Sequence, residues 1–379
     1  MKKIIYITTI SNTLPWHLKN IIENAVKDFE IYVIGDDVKK YSLLFPRIKM
    51  INLKIERKPK IFSDFKALFK LIVYFLKIKP DISHSIMPKS GLLASIAARL
   101  TLTPIRLHTF TGQVWSNYDG NKRKFYKLID LIIIKLNTLC LTDSPSQSNY
   151  LFLNNIGYKK GPLPVIGKGS LSGVDVKKYN IKSLSNNSLK LKEKLAIDED
   201  DFIFAYIARK TIDKGAIDMI DSFQQLRKKH PKLKLLFVGP SEDKAVIDYL
   251  DSNKSLLINV ITLEAVSNHF EYLNISDVLC LPSYREGFGT IVIDAAALGK
   301  PAIGYKIPGL IDSIVHNKTG ILVSEKHTNL FSSAMEKLYL DNNLREQFGK
   351  NALARVNEFY SSESIYAGLK IIYNGNYPD

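Results

Sequence analysis

Two doubly wound α/β domains are predicted for this chain of 379 residues, and three observations predict them. Short apolar runs alternate with amphipathic ones, the pattern of repeated strand–helix units. The alternation supplies about six strand candidates in each half. The length also exceeds what one ordinary hydrophobic core organises.

In the first half the strand candidates are residues 4–8, 30–34, 48–52, 81–85, 105–110 and 138–142. In the second half they are 202–208, 234–238, 260–262, 278–282, 302–304 and 320–323. The N-terminus is basic and then apolar, like a secretion signal. Its apolar run is short, however, and Ser11-Asn12 interrupts it, so it reads as the first strand. Two runs of parallel strands imply two Rossmann-like sheets with ligands at the carboxyl ends of the strands, facing a cleft between the domains. The change-over is expected near Gly167-Lys-Gly-Ser-Leu-Ser-Gly-Val-Asp175 and the polar stretch 177–188, whose glycines and serines suit a hinge. The domains are therefore expected over 1–170 and 171–360, leaving a last segment, 361–379.

Composition narrows the function. Hydrophobic content of 46% supports globular folding. Cys140 and Cys280 both lie in apolar runs, which reads as two buried thiols and a cytoplasmic setting rather than a disulfide framework. No stretch reaches the roughly 20 apolar residues that span a bilayer. The net charge is +16, and residues 1–170 hold 27 Lys and Arg against 11 Asp and Glu. The later residues balance. A field confined to one half points to an anionic partner: nucleic acid, an acidic membrane or a phosphorylated acceptor.

The most specific segment is Ser283-Tyr-Arg-Glu-Gly-Phe-Gly-Thr-Ile-Val-Ile-Asp-Ala-Ala-Ala-Leu-Gly-Lys-Pro301. A buried strand precedes it, a glycine turn follows at 286–289, and a small-residue helix runs over about 290–298. Such a turn presents backbone N–H groups to a phosphate. Glu286 repels phosphate and suits the hydroxyls of a sugar. Together the two demands predict a nucleotide-sugar site.

This segment resembles the donor motif of the family 4 GT-B glycosyltransferases, in which a Glu and a second carboxylate are separated by seven residues. Glu286 takes the first place and Asp294, shorter than the usual Glu, takes the second. The resemblance implies a GT-B fold, two Rossmann-like domains about a central cleft. The N-terminal domain would bind acceptor, the C-terminal domain would bind the nucleotide sugar, and the last helix would pack back on the N-terminal domain. The family has a Gly-Val-Asp turn at the domain crossing, matching Gly173-Val174-Asp175.

Other site residues follow from the same resemblance. Arg209, Lys214 and Gly215 match the family's Gly-Arg…Lys-Gly string, with Ala208 in place of the first Gly. Two cations at a turn after a strand suit a diphosphate and stabilise charge on a departing nucleoside diphosphate. Donor binding is assigned to Gly287, Phe288, Gly289, Thr290 and Asp294, with Glu264 near the base and Ser11 and Asn12 after strand one. In the N-terminal domain, Met87-Pro-Lys-Ser-Gly91 resembles a turn of bacterial polysaccharide transferases and offers Lys89 to an acceptor phosphate. His108-Thr-Phe-Thr-Gly-Gln-Val-Trp115 resembles transferases of O-antigen and capsule assembly. Its acceptor candidates are His108, Thr111, Gly112 and Gln113. Relatives place a His after this strand; here Thr111 takes that place, and His108, alone on an apolar strand, also reads as core.

The mechanism implied is retaining. Glu286 and Asp294 lie eight residues apart, roughly 10 Å along a mostly helical path. A retaining glycosidase pair sits only about 5 Å apart. Front-face attack by an acceptor hydroxyl is therefore expected, with Arg209 and Lys214 neutralising the diphosphate and Glu286 orienting the sugar. Glu286→Ala is expected to cut turnover while leaving folding intact. No cofactor or metal is required on this reading. The Asp198-Glu-Asp-Asp201 string precedes a strand and reads as a solvated loop, and the histidines are too scattered for zinc.

Residues 60–79 carry Phe62, Phe65, Leu68, Phe69, Ile72, Phe75 and Leu76 among lysines, and Lys122, Arg123, Lys124 and Lys127 precede an apolar run at 128–136. Basic amphipathic helices lie on anionic bilayers, and they also cover sheets in this fold. Nucleic-acid motifs are absent.

The expected partners are a nucleotide sugar, a polyprenyl-diphosphate-linked saccharide and the anionic inner face of the plasma membrane, with no nucleic acid. The expected activity is hexosyl or N-acetylhexosaminyl transfer, from a UDP-linked donor, onto undecaprenyl-diphosphate saccharide. Competing readings are a nucleotide-sugar epimerase of the same fold and a non-catalytic sugar- or nucleic-acid-binding module. No Gly-x-Gly-x-x-Gly follows strand one, which argues against a dehydrogenase.

Overall fold

The computed structural model describes residues 1–57, 59–177, 181–266 and 268–377. The chain forms two compact units, Met1–Gly173 together with the segment from Ser362 onward, and Val174–Ser361. Residues 178–180 and 378–379, parts of the expected hinge and last segment, lie outside the described residues.

The first unit runs β1 (Lys3–Thr8), α1 (Lys19–Ala25), β2 (Glu30–Gly35), β3 (Lys49–Asn52), α2 (Ile61–Ile78), β4 (Ile82–Ser85), α3 (Pro88–Leu100), β5 (Ile105–Phe110), α4 (Gly120–Leu136), β6 (Leu139–Thr142) and α5 (Pro145–Leu153). Its six parallel strands are ordered β3-β2-β1-β4-β5-β6.

The second unit runs α6 (Ile181–Lys194), β7 (Phe202–Ile207), α7 (Ala216–Arg227), β8 (Leu233–Val238), α8 (Lys244–Ser252), β9 (Val260–Leu263), α9 (His269–Asn274), β10 (Val278–Leu281), α10 (Thr290–Ala297), β11 (Ala302–Tyr305), α11 (Leu310–Ser313), β12 (Gly320–Val323), α12 (Thr328–Leu340) and α13 (Asn342–Phe359). Its sheet is ordered β12-β11-β10-β7-β8-β9, again parallel. Counted from its own first strand, this is the same doubly wound order as in the first unit.

All twelve strands predicted from apolar runs are present, each end within one residue. The reason is burial: central strands such as β1, β7 and β10 are enclosed on both faces, so their sequence is apolar nearly throughout. One segment differs. The polar stretch read as a hinge is helical from Ile181. Asn and Ser favour turns locally, but Leu191 and Leu195 pack against the cluster of Ile203, Ala205 and Leu236, and that burial decides the helix.

The last helix, α14 (Ser362–Tyr373), belongs to the first unit. Ile365, Leu369 and Ile372 enter the core formed with Ile4, Ile31 and Ile82. The Tyr373 hydroxyl lies 2.8 Å from both the Tyr6 hydroxyl and His84 Nδ1, and His84 Nε2 reaches Thr109 at 2.9 Å. Burial pushes the His84 imidazole down to about 3, so it is a neutral hydrogen-bonding group. At the surface, Tyr366 and Lys370 hold Asp28 at 2.6 and 2.8 Å.

Candidate active site

In the second unit β7 and β10 are neighbours because the strand order reverses between them. Open α/β sheets bind ligands beyond the carboxyl ends of strands at such a reversal. The loop after β7 carries Arg209 and Lys214, and the loop after β10 carries Glu286. Gly215 permits their close approach. Its φ is +66°, and a Cβ there would lie 1.9 Å from the Pro282 carbonyl oxygen. Any side chain would push the turn off the end of β10.

Lys214 Nζ stands 2.7 Å from Glu286 Oε1 and donates to the Arg285 carbonyl at 3.2 Å. Both side chains are mostly buried. Burial pulls the Lys214 ammonium below its ordinary value, and Glu286 works against that pull. Arg209 lies 3.3 Å from Glu242 and 3.6 Å from Asp213. Asp213 also accepts from Arg285 at 2.8 Å and from the Thr211 hydroxyl. Burial alone would raise the Asp213 carboxyl; the hydroxyl and the cations Lys214, Arg285 and Arg209 outweigh it and hold the carboxyl below its ordinary value. Three cations, Arg209, Lys214 and Arg285, thus stand among three carboxylates, Asp213, Glu242 and Glu286. That array suits a diphosphate on its cationic side and sugar hydroxyls at Glu286.

Gly287, Phe288 and Gly289 form the turn into α10, and Thr290 is its first residue. Gly289 has φ +80°, and a Cβ there would meet Leu310 Cδ2 at 2.7 Å. The first N–H groups of a helix have no partner within it, so this turn can offer backbone donors to an anion. Within this turn the Phe288 side chain has a packing place. Its ring is buried and packs on Tyr360 with centroids 5.2 Å apart, so the ring anchors the turn and only its backbone remains for a donor.

Asp294 also departs from expectation. It is buried on α10, and its Oδ2 lies 3.0 Å from Nε2 of His269 at the start of α9. This carboxylate, assigned to the donor, already has one protein partner. Glu264 is exposed after β9, accepts from Ser241 N and Oγ at 3.3 and 3.1 Å, and stands 3.7 Å from Lys210 Nζ. Lys210 is wholly buried and donates to the Leu263 carbonyl at 2.8 Å. Glu264 and Lys210 therefore tie together the loops after β7, β8 and β9.

In the first unit the loops after β1, β4 and β5 share one edge, because those strands are adjacent. Ser11 is buried, and Asn12 Oδ1 accepts from the Tyr41 hydroxyl at 2.7 Å. Lys89, near the start of α3, pairs with Asp64 of α2 at 2.6 Å rather than projecting as a free basic loop. Thr111 donates weakly to the Ile86 carbonyl at 3.4 Å, Gly112 has φ +53°, and Gln113 is buried.

His108 is corrected from acceptor contact to core. It is 1% exposed, and its Nδ1 lies 2.9 Å from the Ser85 hydroxyl. Its ring fills the space over Gly91, where a Cβ would come within 2.5 Å. Burial, with a smaller push from His84, lowers its imidazole to about 3. The side chain lies within the sheet–helix contact, between Ser85 and Gly91.

Among the described residues no group of His, Cys, Asp and Glu is arranged to hold a metal ion. Asp201 of the acidic string is paired with Lys234 at 2.7 Å and accepts from Asp198 N.

Two family models match the chain: "Glycosyl transferase 4-like" over residues 3–142 and "Glycosyl transferases group 1" over residues 187–355. The chain is 32% identical over 378 residues to the capsular polysaccharide biosynthesis glycosyltransferase CapM of Staphylococcus aureus, covering 98% of this chain and 97% of that protein. The chain belongs to the family 4 GT-B glycosyltransferases. Its relatives thus include a transferase of capsular polysaccharide biosynthesis. This glycosyltransferase is also 26% identical over 349 residues, 89% of each chain, to the N,N'-diacetylbacillosaminyl-diphospho-undecaprenol alpha-1,3-N-acetylgalactosaminyltransferase of Campylobacter jejuni. In fold it resembles Anabaena HepE in complex with UDP and glucose, with a TM-score of 0.81, 15% identity, and coverage of 99% of this chain and 100% of that one.

Four residues at the site of this glycosyltransferase escaped the sequence reading: Lys210, Asp213, His269 and Arg285. Asp213 and Arg285 each stand next to a predicted residue, Lys214 and Glu286. Their adjacency was visible, but their mutual pairing across 72 residues was not. Lys210 and His269 gave no signal, because a lone Lys is almost always exposed and a lone His is often so.

Proposed function

We propose that the protein transfers a hexose or N-acetylhexosamine from a UDP-linked donor to an undecaprenyl-diphosphate-linked saccharide, retaining the anomeric configuration and using no metal ion. One observation carries the reading: Lys214 and Glu286 stand 2.7 Å apart where β7 and β10 meet. The pair sets a cation for the diphosphate beside an acid for the sugar.

In the reaction the acceptor hydroxyl oxygen bonds to the anomeric carbon from the side that the diphosphate leaves. The bond from that carbon to the diphosphate oxygen breaks, and the hydroxyl proton passes to the departing diphosphate. Arg209 and Lys214 stabilise the developing charge, the task a metal performs in other transferases. Glu286 orients the sugar through its hydroxyls, and the turn at Gly287, Gly289 and Thr290 adds backbone donors. Support for UDP comes from the UDP-bound neighbour of like fold. Support for a lipid-linked acceptor comes from the Campylobacter jejuni relative, a transferase acting on a diphospho-undecaprenol-linked saccharide. The loop of Thr111, Gly112 and Gln113, with Lys89, is assigned to the acceptor. Ser11 and Asn12 are assigned to the donor diphosphate.

The reading also sets the enzyme on the cytoplasmic face of the membrane as a peripheral protein. Among the described residues no helix is long and apolar enough to cross a bilayer. Helix α2 is apolar on two faces. Ala67, Leu71, Phe75 and Ile78 are buried, while Ile61, Phe62, Phe65, Phe69 and Leu76 are exposed beside Lys66, Lys70 and Lys77. Helix α4 exposes Phe125, Leu128 and Leu131 beside Lys122 and Lys124. An outward apolar face ringed by lysine suits an anionic lipid surface.

The deciding experiment is a panel of UDP- and GDP-sugars assayed for released nucleoside diphosphate, with and without undecaprenyl-diphosphate N-acetylglucosamine. Release of UDP that depends on the lipid acceptor, with an α-linked product from an α-linked donor, is expected. Release confined to GDP, or an inverted product, overturns the reading.

A further inference from the structure

We infer that Asp130 is a positioning residue for the acceptor loop: by accepting the Trp115 indole N–H, it fastens residues 111–117 to helix α4. The inference rests on the reading of Thr111, Gly112 and Gln113 as acceptor-binding.

The loop after β5 continues into a short helical turn at Val114–Asn117 and then into α4. The loop's own side chains hold it weakly: the Thr111 bond to Ile86 is 3.4 Å. The turn is knit internally, since Ser116 donates to the Gln113 carbonyl through N and Oγ at 3.2 and 2.6 Å. Trp115 makes the connection to the rest of the unit. It is 1% exposed, and its Nε1 donates to Asp130 Oδ2 at 2.7 Å. Its ring stacks on Tyr150 of α5, with centroids 5.4 Å apart and planes 11° apart. Arg123 and Lys127 lie over the same ring at 5.1 and 5.3 Å.

Arg123, Lys127 and Asp130 follow helical spacing, so one face of α4 is built around the indole. Lys124, Leu128, Leu131 and Lys135 follow the same spacing on another face, where all four are exposed. One helix thus carries both the loop clamp and the outward surface assigned above to lipid.

A buried carboxyl is costly unless hydrogen-bonded. Burial raises the Asp130 carboxyl, the indole N–H offsets part of that rise, and the net value is about 7. A packing role alone would be met by an apolar residue. The carboxyl instead provides a directed acceptor, aimed at the indole N–H.

The test compares Asp130→Leu, Asp130→Asn and Trp115→Phe in the full chain. Asn keeps an acceptor oxygen, and Phe keeps the ring but loses the donor. Hydrogen exchange of the 111–117 amides should speed at least tenfold in Asp130→Leu and Trp115→Phe and recover in Asp130→Asn, with β1 and β7 unchanged. With undecaprenyl-diphosphate N-acetylglucosamine as acceptor probe, the first two variants should raise the acceptor KM at least tenfold while the donor KM stays within twofold. Unchanged exchange at 111–117, or equal damage to both KM values, overturns the inference. Thr111→Val separates the two layers. If it leaves acceptor KM unaltered, the acceptor reading of the loop falls, and this inference falls with it. If it raises acceptor KM while Asp130→Leu does not, the positioning role alone falls.

Discussion

The Lys214–Glu286 pair supports a quantitative prediction. Removing one partner of a buried ion pair costs about 3–5 kcal/mol, because the other charge is left uncompensated. Once Glu286 is gone, Lys214 keeps a hydrogen bond to the Arg285 carbonyl at 3.2 Å and the field of Asp213, which Arg209 and Arg285 already share. Glu286→Ala therefore destabilises the second unit as well as cutting turnover, which revises the expectation of intact folding. Glu286→Gln is the cleaner perturbation, since the amide oxygen still accepts from Lys214; its expected cost is about 1–3 kcal/mol. Lys214→Met should cost about 3–5 kcal/mol by stranding the carboxylate. The double variant should lose less than the sum, with a coupling of about 1–3 kcal/mol. Urea midpoints followed by circular dichroism give the stabilities, and UDP release at saturating donor gives turnover. Each variant should lose about 100- to 1,000-fold in turnover, the scale of removing one preorganised electrostatic contact. Additivity within about 0.5 kcal/mol, or a folded Glu286→Gln enzyme with undiminished turnover, would refute the reasoning.

Three further outcomes are expected. The Asp130 carboxyl, raised from 3.8 to about 7, makes the folded protein bind that proton more tightly than the unfolded chain. Its contribution to stability is complete below the ordinary carboxylate pKa and is lost as pH rises through about 7. At about 1.4 kcal/mol per pKa unit, Asp130→Asn should gain up to about 4 kcal/mol relative to the parent between pH 4 and pH 8, read from urea titrations; no relative gain would contradict the burial argument. Tyr373→Phe removes the hydroxyl shared by Tyr6 and His84 and should cost about 1–3 kcal/mol, with faster proteolysis at the C-terminal helix; unaltered stability would mean that water replaces the hydroxyl. Phe65→Asp with Phe69→Asp should weaken sedimentation with phosphatidylglycerol vesicles at least tenfold, and neutral phosphatidylcholine should bind poorly in every case, because each Lys near an anionic surface adds about 1 kcal/mol; equal binding to both lipids would count against an electrostatic lipid face.

Much of the fold was written into the chain because parallel strands are buried on both faces, so their apolar runs stand out without a partner in view. The Glu286 segment was equally legible, since strand, glycine turn and small-residue helix are contiguous. Gly215 and Gly289 also announced backbone positions that a side chain would disrupt.

Tertiary structure decided the rest, because it joins residues that are distant in sequence. The reversal of strand order set Lys214 against Glu286, and Asp213 against Arg285, across about 70 residues of chain. Asp294 turned to His269, Phe288 turned into the core against Tyr360, and His108 closed over Gly91. A local pattern specifies which side chains stand at a strand end. Which of them remain available to a ligand depends on the neighbours that packing supplies, and hydrogen-bonding demand in a buried setting makes those neighbours decisive.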